Sequence, residues 1–400
     1  MKFMLIQLTI LIFIAGCGID FTSHYDRIEE SRVRTLAIIY DNNGVAEGAP
    51  GDTVQCAAYF AGEQVSSVDW TVATALIINQ FGRDTFADTV SLDRYMVPGS
   101  YHEYSGGTTD SIRFSFILPH DLIRSQISDT VTIADMLPAG FTDSLLPESA
   151  RMLTPSSLID LVELFSGGVP PVDTPVDVPK VLPDSVLKML PVLLQVFTVN
   201  MKLFARINGK YRVESTFTVR YNSRLHRAVP QIPVNRNPVI EWIRCYRVRE
   251  ERVVFNPLED GALADTVFNV FPDRDTILVD VGYHYFFVAD SGTRSLDSSI
   301  SLSDATQEYR PEEYVYEWFY QNGDSIPGKP FDSLMLLENA FRGTSVSLLP
   351  SLDVRMRNFN LWLVTYDSFL GEKFRPVGFS LQCMQGVFTY TDAYRKRYGP

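Results

Sequence analysis

Histidine and cysteine are scarce in this chain, with five His and four Cys among 400 residues. His24, His102, His120, His226 and His284 include no pair at helical metal spacing and no HExxH. There is no G-x-S-x-G elbow and no phosphate-cradling P-loop. Catalytic residues and metal ligands are therefore assigned to none of its positions. His102-Glu103, beside Tyr104 in a Gly-rich loop, is the weak zinc candidate. Pro311-Glu312-Glu313 reads as a solvated turn rather than a carboxylate dyad. Positive charge is also in deficit: 35 Lys and Arg face 48 Asp and Glu, a net charge of −13. Such a chain repels phosphate backbones, which argues against a nucleic-acid partner. The one basic run, Arg395-Lys396-Arg397, reads as a solvated tail. Long apolar runs are missing beyond the N-terminus. Val181 to Val199 comes nearest, but Asp184, Lys188 and two prolines break it.

The N-terminus carries the most specific signal. Lys2 precedes an apolar run from Phe3 to Ile14 that only Gln7 and Thr9 interrupt, and Ile14-Ala15-Gly16-Cys17 follows. A charged start, a short apolar stretch and small residues before a break make an export signal. The run falls short of the roughly 20 residues that span a bilayer. Ala15-Gly16-Cys17 resembles the lipobox of bacterial lipoproteins. That resemblance implies removal of residues 1–16, acylation of Cys17 and a lipidated tether over 17–32. It makes the protein exported and membrane-anchored. Gly18 is not the aspartate that retains enterobacterial lipoproteins at the inner membrane, so the outer membrane is favoured.

The rest alternates with period two, the mark of half-buried strands. Val54, Cys56, Ala58 and Phe60 share one face; Ile277, Val279, Val281, Tyr283, Tyr285 and Phe287 share another, read as one strand. Each run opens on a similar tripeptide, Asp52-Thr53-Val54 and Asp275-Thr276-Ile277, and each is followed by an acidic residue before tryptophan, Asp69-Trp70 and Glu317-Trp318. A strand ending in leucine and proline comes next, Ile112 to Pro119 and Val346 to Pro350. In the first copy a hairpin closes the unit, turning on Asn208-Gly209, which supplies the positive backbone angles of a tight turn. In the second, Phe359, Leu361 and Leu363 alternate, then Val377, Phe379, Leu381 and Cys383.

The pattern predicts an all-β chain. Both copies resemble the Ig-like and PKD-like modules of exported bacterial lipoproteins. The resemblance implies two tandem immunoglobulin-like β-sandwiches, at 33–225 and 238–388, joined by a linker at 226–237 and ending in a tail at 389–400. Cys56 and Trp70 stand where antibody-type domains place their first core cysteine and tryptophan. No second cysteine follows in the partner strand, so Cys56 reads as a buried thiol. The same resemblance makes the strands carrying Cys245 and Cys383 neighbours, and a bridge between them is one outcome it allows.

The first copy holds a Pro-rich insertion, about 120–194. Thr154 caps a helix starting at Pro155, with Leu158, Leu161, Val162 and Phe165 on one face and Gly167-Gly168 at its end. A second short helix is expected from Asp184 to Leu190. The insertion is either a packing cap or the lobe that holds an envelope-protein partner.

No cofactor is implied. Asp41-Asn42-Asn43-Gly44 and the pair Asp273 and Asp275 could offer oxygens to calcium, but both fit ordinary turns. Aromatics are the other candidates: Tyr283 and Tyr285, with Trp318 and Tyr320 opposite Phe319, suit either a sugar-stacking surface or a sandwich core. The leading expectation is a non-enzymatic binding or scaffold protein of the cell envelope. The first alternative is a glycan-binding accessory lipoprotein of a polysaccharide uptake or degradation system, and the second an envelope hydrolase.

Overall fold

The computed structural model describes residues 32–76, 89–106, 109–126, 130, 132, 135, 151–165, 198–228, 234–249, 257, 260–272, 274–280, 283–290, 296–300, 307–311, 314–324, 335–336, 345–348, 356–368 and 376–389. The chain is mostly β-sheet with few helices. Its described strands fall into two sets, each forming two sheets around an apolar core.

The first set begins with β1 (Val33–Asp41), β2 (Glu47–Gly48), β3 (Thr53–Gly62), β4 (Val68–Leu76) and β5 (Val90–Ser91). It continues with β6 (His102–Gly106), β7 (Thr109–Ile117), β8 (Val199–Ile207) and β9 (Tyr211–Val219). One sheet runs β1-β3-β7-β6 and the other β2-β9-β8-β4-β5. All pairings are antiparallel except β2 with β9. The expected alternation is present: Val54, Cys56, Ala58 and Phe60 are buried while Thr53 and Gln55 face solvent. Asn208 and Gly209 both have positive φ, 49° and 66°, the geometry a two-residue hairpin turn requires.

The second set comprises β10 (Trp242–Arg249), β11 (Thr266–Val270), β12 (Thr276–Asp280), β13 (Tyr283–Asp290), β14 (Leu296–Ile300) and β15 (Gln307–Pro311). β16 (Tyr314–Asp324), β17 (Met335–Leu336), β18 (Ser345–Leu348), β19 (Met356–Ser368) and β20 (Pro376–Thr389) follow. Its sheets run β11-β10-β13-β18 and β12-β20-β19-β16-β17, with β14-β15 a separate hairpin. Here β12 pairs parallel with β20, as β2 does with β9. The orders β10-β13-β18 and β12-β20-β19-β16-β17 reproduce β1-β3-β7 and β2-β9-β8-β4-β5. The second copy adds β11 and the β14-β15 hairpin.

This order corrects one sequence expectation. The run from Ile277 to Phe287 is not one strand: β12 and β13 lie in different sheets. Ile277, Val279, Tyr285 and Phe287 all point into the same core, so the alternation stays in phase while the chain changes sheet. The counterpart of β3 is therefore β13, and that of β12 is β2.

Two α-helices among the described residues pack against the first core. α1 (Pro155–Phe165) lies in the insertion and α2 (Asn222–Ala228) follows β9. Thr154 caps α1 as its sequence suggests, its hydroxyl accepting the Ser157 amide at 3.3 Å. The buried face differs from the expected one. Leu158, Ile159 and Val162 enter the first core, whereas Leu161 is half-buried. The described part of the insertion is thus a packing element of the sandwich. The expected second helix, Asp184 to Leu190, lies outside the described residues.

The strand β1 is buried on both faces. Ile38 and Tyr40 belong to the first core. A register shift between Thr35 and Ala37 lets Leu36 and Ala37 turn outward together, where they join Ala61, Phe319 and Val364 in a third cluster. The unbroken apolar run Leu36-Ala37-Ile38-Ile39-Tyr40 is the sequence counterpart of this double burial. Phe319 and Val364 sit on β16 and β19, with faces opposite to Trp318 and Leu363 of the second core. The two sandwiches therefore meet through an apolar face.

Candidate functional site

The densest arrangement of charged side chains described lies where α2 and the linker meet the first sandwich. Arg220, Arg224 and Arg227 follow each other at helical spacing and reach two carboxylates of the β2–β3 region. Glu47 is fully buried. Its Oε2 accepts Arg220 Nε at 2.6 Å and Nη2 at 2.5 Å. Burial pushes the Glu47 carboxyl above its usual value, while the Arg220 guanidinium pulls the other way. Asp52 is held by five donors. Asn42 Nδ2 lies at 2.8 Å, the Ala49 amide at 3.0 Å, and Ser223 Oγ, Arg224 Nη2 and Arg227 Nη2 at 3.4 Å. Arg224 also donates to the Pro50 carbonyl. This network fastens α2 beneath the sandwich.

The linker enters the same cluster. The Ala46 amide donates to the Asn235 carbonyl at 2.9 Å, and the Asn235 amide donates to Glu47 Oε2 at 3.3 Å. Asn237 Nδ2 donates to the Tyr40 carbonyl at 2.7 Å. Arg236 Nη2 contacts His226 Nε2 at 3.2 Å. A second arm ties α1 to the same pole. Arg124 pairs with Asp160 and, at 3.3 Å, with Glu163, while Tyr221 Oη donates to Glu163 Oε1 at 3.1 Å. Burial, then the Glu163 charge and hydrogen bond, push the Tyr221 phenol up.

Sequence reading missed this cluster. Its signals were the Arg220, Arg224 and Arg227 spacing and one carboxylate, Glu47, inside the small apolar run Val45-Ala46-Glu47-Gly48-Ala49. The expected linker began at residue 226, but α2 runs from Asn222 to Ala228 and belongs to the packed structure.

The structure decides between the two readings of the aromatics for one pair. Tyr285 and Trp318 are each 1% exposed and lie in the second core, so these two are core residues and offer no stacking surface. Alternating strands of a sandwich turn one side chain in two inward, and these two are on that side. The Tyr285 hydroxyl accepts the Asp280 amide at 2.8 Å, and burial raises its phenol to about 12. Tyr283 is half-buried against the same core, with the Arg247 guanidinium 4.8 Å from its ring centroid. Tyr320 pairs through its backbone with Met335 and Leu361; its side chain lies outside the described residues.

Cys17 falls outside the described residues. Cys56 and Cys245 are buried free thiols, and burial pushes both well above the ordinary thiol value. Cys245 lies on β10 and Cys383 on β20, strands of different sheets that do not pair with each other. The neighbouring of these two strands that the resemblance implied is thus not observed.

Of the calcium candidates, Asp41 Oδ1 accepts the Gly44 amide at 2.5 Å in a tight turn, with Asn43 and Gly44 at positive φ. Asn42 turns inward to Asp52. Asp275 Oδ2 accepts the Phe271 amide at 2.8 Å, and Asp273 is outside the described residues. No three His, Cys, Asp or Glu side chains among the described residues are grouped to hold a metal. His102, Glu103 and Tyr104 lie on the edge strand β6. There Tyr104 is 52% exposed, with Arg113 5.5 Å from its ring centroid.

No protein-family model matches the chain, and no curated protein matches it. Among solved structures, it is similar to dimeric latent PorU from Porphyromonas gingivalis at 9% identity. That match covers 94% of this chain and 21% of the other, with a TM-score of 0.18. It is also similar to Spo0M, a sporulation control protein from Bacillus subtilis, at 12% identity, covering 88% and 89% of the two chains with a TM-score of 0.19.

Proposed function

We propose that the chain is a lipid-anchored protein of the cell envelope that acts as a non-enzymatic binding or scaffold module through two immunoglobulin-like sandwiches. The observation that carries this reading is the repeated strand order. Immunoglobulin-type sandwiches place strands A, B, E and D in one sheet and C, F and G in the other. The order β1-β3-β7-β6 against β9-β8-β4 fits that plan, and β10-β13-β18 against β20-β19-β16 fits it again. Trp70 on β4 and Trp318 on β16 then fall on the strand where that fold keeps its core tryptophan. The anchor rests on the run from Lys2 to Cys17. Three acyl chains, or two, hold a protein stably to a membrane where one does not.

The test is direct. Cells fed an alkyne fatty acid should label the wild-type chain and not Cys17→Ala, and the variant should leave the outer-membrane fraction. Equal labelling of both would end the lipoprotein reading. Partner capture from detergent-solubilised membranes then tests the scaffold role. Deletions for that purpose must spare α1, since Leu158, Ile159 and Val162 are core residues.

The glycan-binding reading keeps one foothold, the exposed Tyr104 ring on β6 beside His102 and Arg113. Loss of binding to envelope polysaccharide in Tyr104→Ala would support it.

A further inference from the structure

The junction of the two sandwiches is built from unlike halves. One half is apolar and small, with Leu36, Ala37 and Ala61 of the first sandwich against Phe319 and Val364 of the second. Arg34 lies over the Phe319 ring, 5.7 Å from its centroid. The other half is the linker, held to the first sandwich by the polar clasp that Ala46, Glu47 and Tyr40 place on Asn235 and Asn237.

The clasp is incompletely satisfied. Glu47 Oε1 and both side-chain polar atoms of Asn235, Oδ1 and Nδ2, are buried without a hydrogen-bond partner. Glu47 is 0% and Asn235 7% exposed. Buried polar groups in folded proteins are nearly always paired, and one left unpaired favours any arrangement that returns it to water. An opening that lifts residues 234–238 off β2 would hydrate all three atoms. It would also expose Phe319, and that opposes opening.

We infer that residues 234–238 are a hinge, with Glu47 as its latch and the Phe319 face as its seal. The closed arrangement is held by apolar contact and opposed by the unsatisfied amide and carboxylate. Hinges of this kind absorb backbone rotation in a few residues between rigid bodies. The glycine-free segment Val234-Asn235-Arg236-Asn237-Pro238 joins two bodies that each keep their own core. The inference concerns the mechanics of the chain and holds whether or not Cys17 is acylated.

Substitutions on the two halves should move the joint in opposite directions. Asn235→Ala deletes two partnerless atoms and keeps the backbone bonds to Ala46 and Glu47, so it should close the joint further. Phe319→Ala removes the seal and should open it. The full-length chain in detergent, carrying Lys210→Cys and Leu278→Cys on exposed sites of the two sandwiches, is spin-labelled in a Cys17→Ser, Cys383→Ser background. Distance distributions are then measured by double electron–electron resonance. The reference chain should show a main closed peak and a minor longer one. Phe319→Ala should raise the open-to-closed ratio by about a hundredfold or more, the scale of a lost large buried side chain. Asn235→Ala should lower it. Unreactive Cys56 and Cys245 would show that both sandwiches stay folded, and Val364→Ala serves as a milder seal variant if Phe319→Ala exposes either thiol. An Asn235→Ala chain that opens, or a distribution that none of these variants shifts, overturns the inference.

Discussion

Trp70 and Trp318 hold the same position in two sheets of the same strand order. Trp70 faces Ala205 across β4 and β8, and Trp318 faces Leu363 across β16 and β19. Each is buried, and each leaves its indole Nε1 without a partner. A buried indole N–H usually finds an acceptor. Two units that share this omission share a core geometry in which ring volume outweighs the donor. The correspondence also fixes how the rest of one unit maps onto the other.

Among the described side chains each unit carries one buried free thiol, Cys56 in the first and Cys245 in the second. Burial holds both in the unreactive protonated form, in Cys245 against the pull of Arg247. In native buffer near neutral pH neither should react with a disulfide reagent. Each should be modified only as its own sandwich unfolds, so peptide mapping along a urea series would give separate midpoints for the two units. Modification of either thiol in native buffer would contradict the burial.

The Tyr285 phenol is raised to about 12, chiefly by burial. Between the ordinary tyrosine value near 10 and that raised one, the folded state holds a proton that the unfolded state has released. Stability is therefore present below the ordinary value and falls as pH climbs through the interval. Chemical denaturation across this range should show the loss. Tyr285→Phe should flatten part of it, while also weakening the chain at neutral pH because the Asp280 amide loses its acceptor. An unchanged alkaline slope in that variant would refute the assignment.

Gly48 has no room for a side chain. A methyl group there would meet Leu118 Cδ1 at 2.6 Å, Val54 Cγ2 at 3.2 Å and Phe217 Cζ at 3.3 Å. All three neighbours are fully buried. Gly48→Ala should destabilise the first sandwich by about 1–3 kcal/mol through overpacking. Thermal unfolding followed by Cys56 exposure would register the change, and Cys245 should be little affected.

The Glu47–Arg220 pair should behave asymmetrically. Arg220→Met leaves a buried carboxylate without its cation and should cost about 3–5 kcal/mol. Removing both charges in Glu47→Met/Arg220→Met should recover most of that loss, because the desolvation penalty vanishes with the pair. Equilibrium denaturation of the two single variants and the double variant closes the cycle. Additive losses would show that the two residues do not depend on each other.

The sequence displayed what faces inward better than what neighbours what. Alternation located the strands around Val54, Ile112 and Val199, and Asn208-Gly209 announced its turn, because local geometry alone sets these. The joint between β12 and β13 stayed hidden since both strands serve one core. Period two reports a face and says nothing about which sheet supplies it. The Glu47–Asp52–arginine cluster was invisible for a related reason. Its carboxylates and its arginines are separated by more than 160 residues, so only the fold brings them together. The opposing faces of Trp318 and Phe319 were legible in sequence, but their partners were not: one ring fills the second core and the other meets Leu36 across the junction.

The mapping through the two tryptophans has a last consequence. The first-unit positions that correspond to Phe319 and Val364 are Thr71 and Arg206, directly read from the paired registers. The seat that receives β1 in the second sandwich thus has a water-loving counterpart in the first, where Arg206 is exposed. A row of such modules could grow without limit if every one offered the same greasy seat. Among the described residues the seat occurs once and is taken by the chain's own β1, so these two units dock in one order and not the reverse.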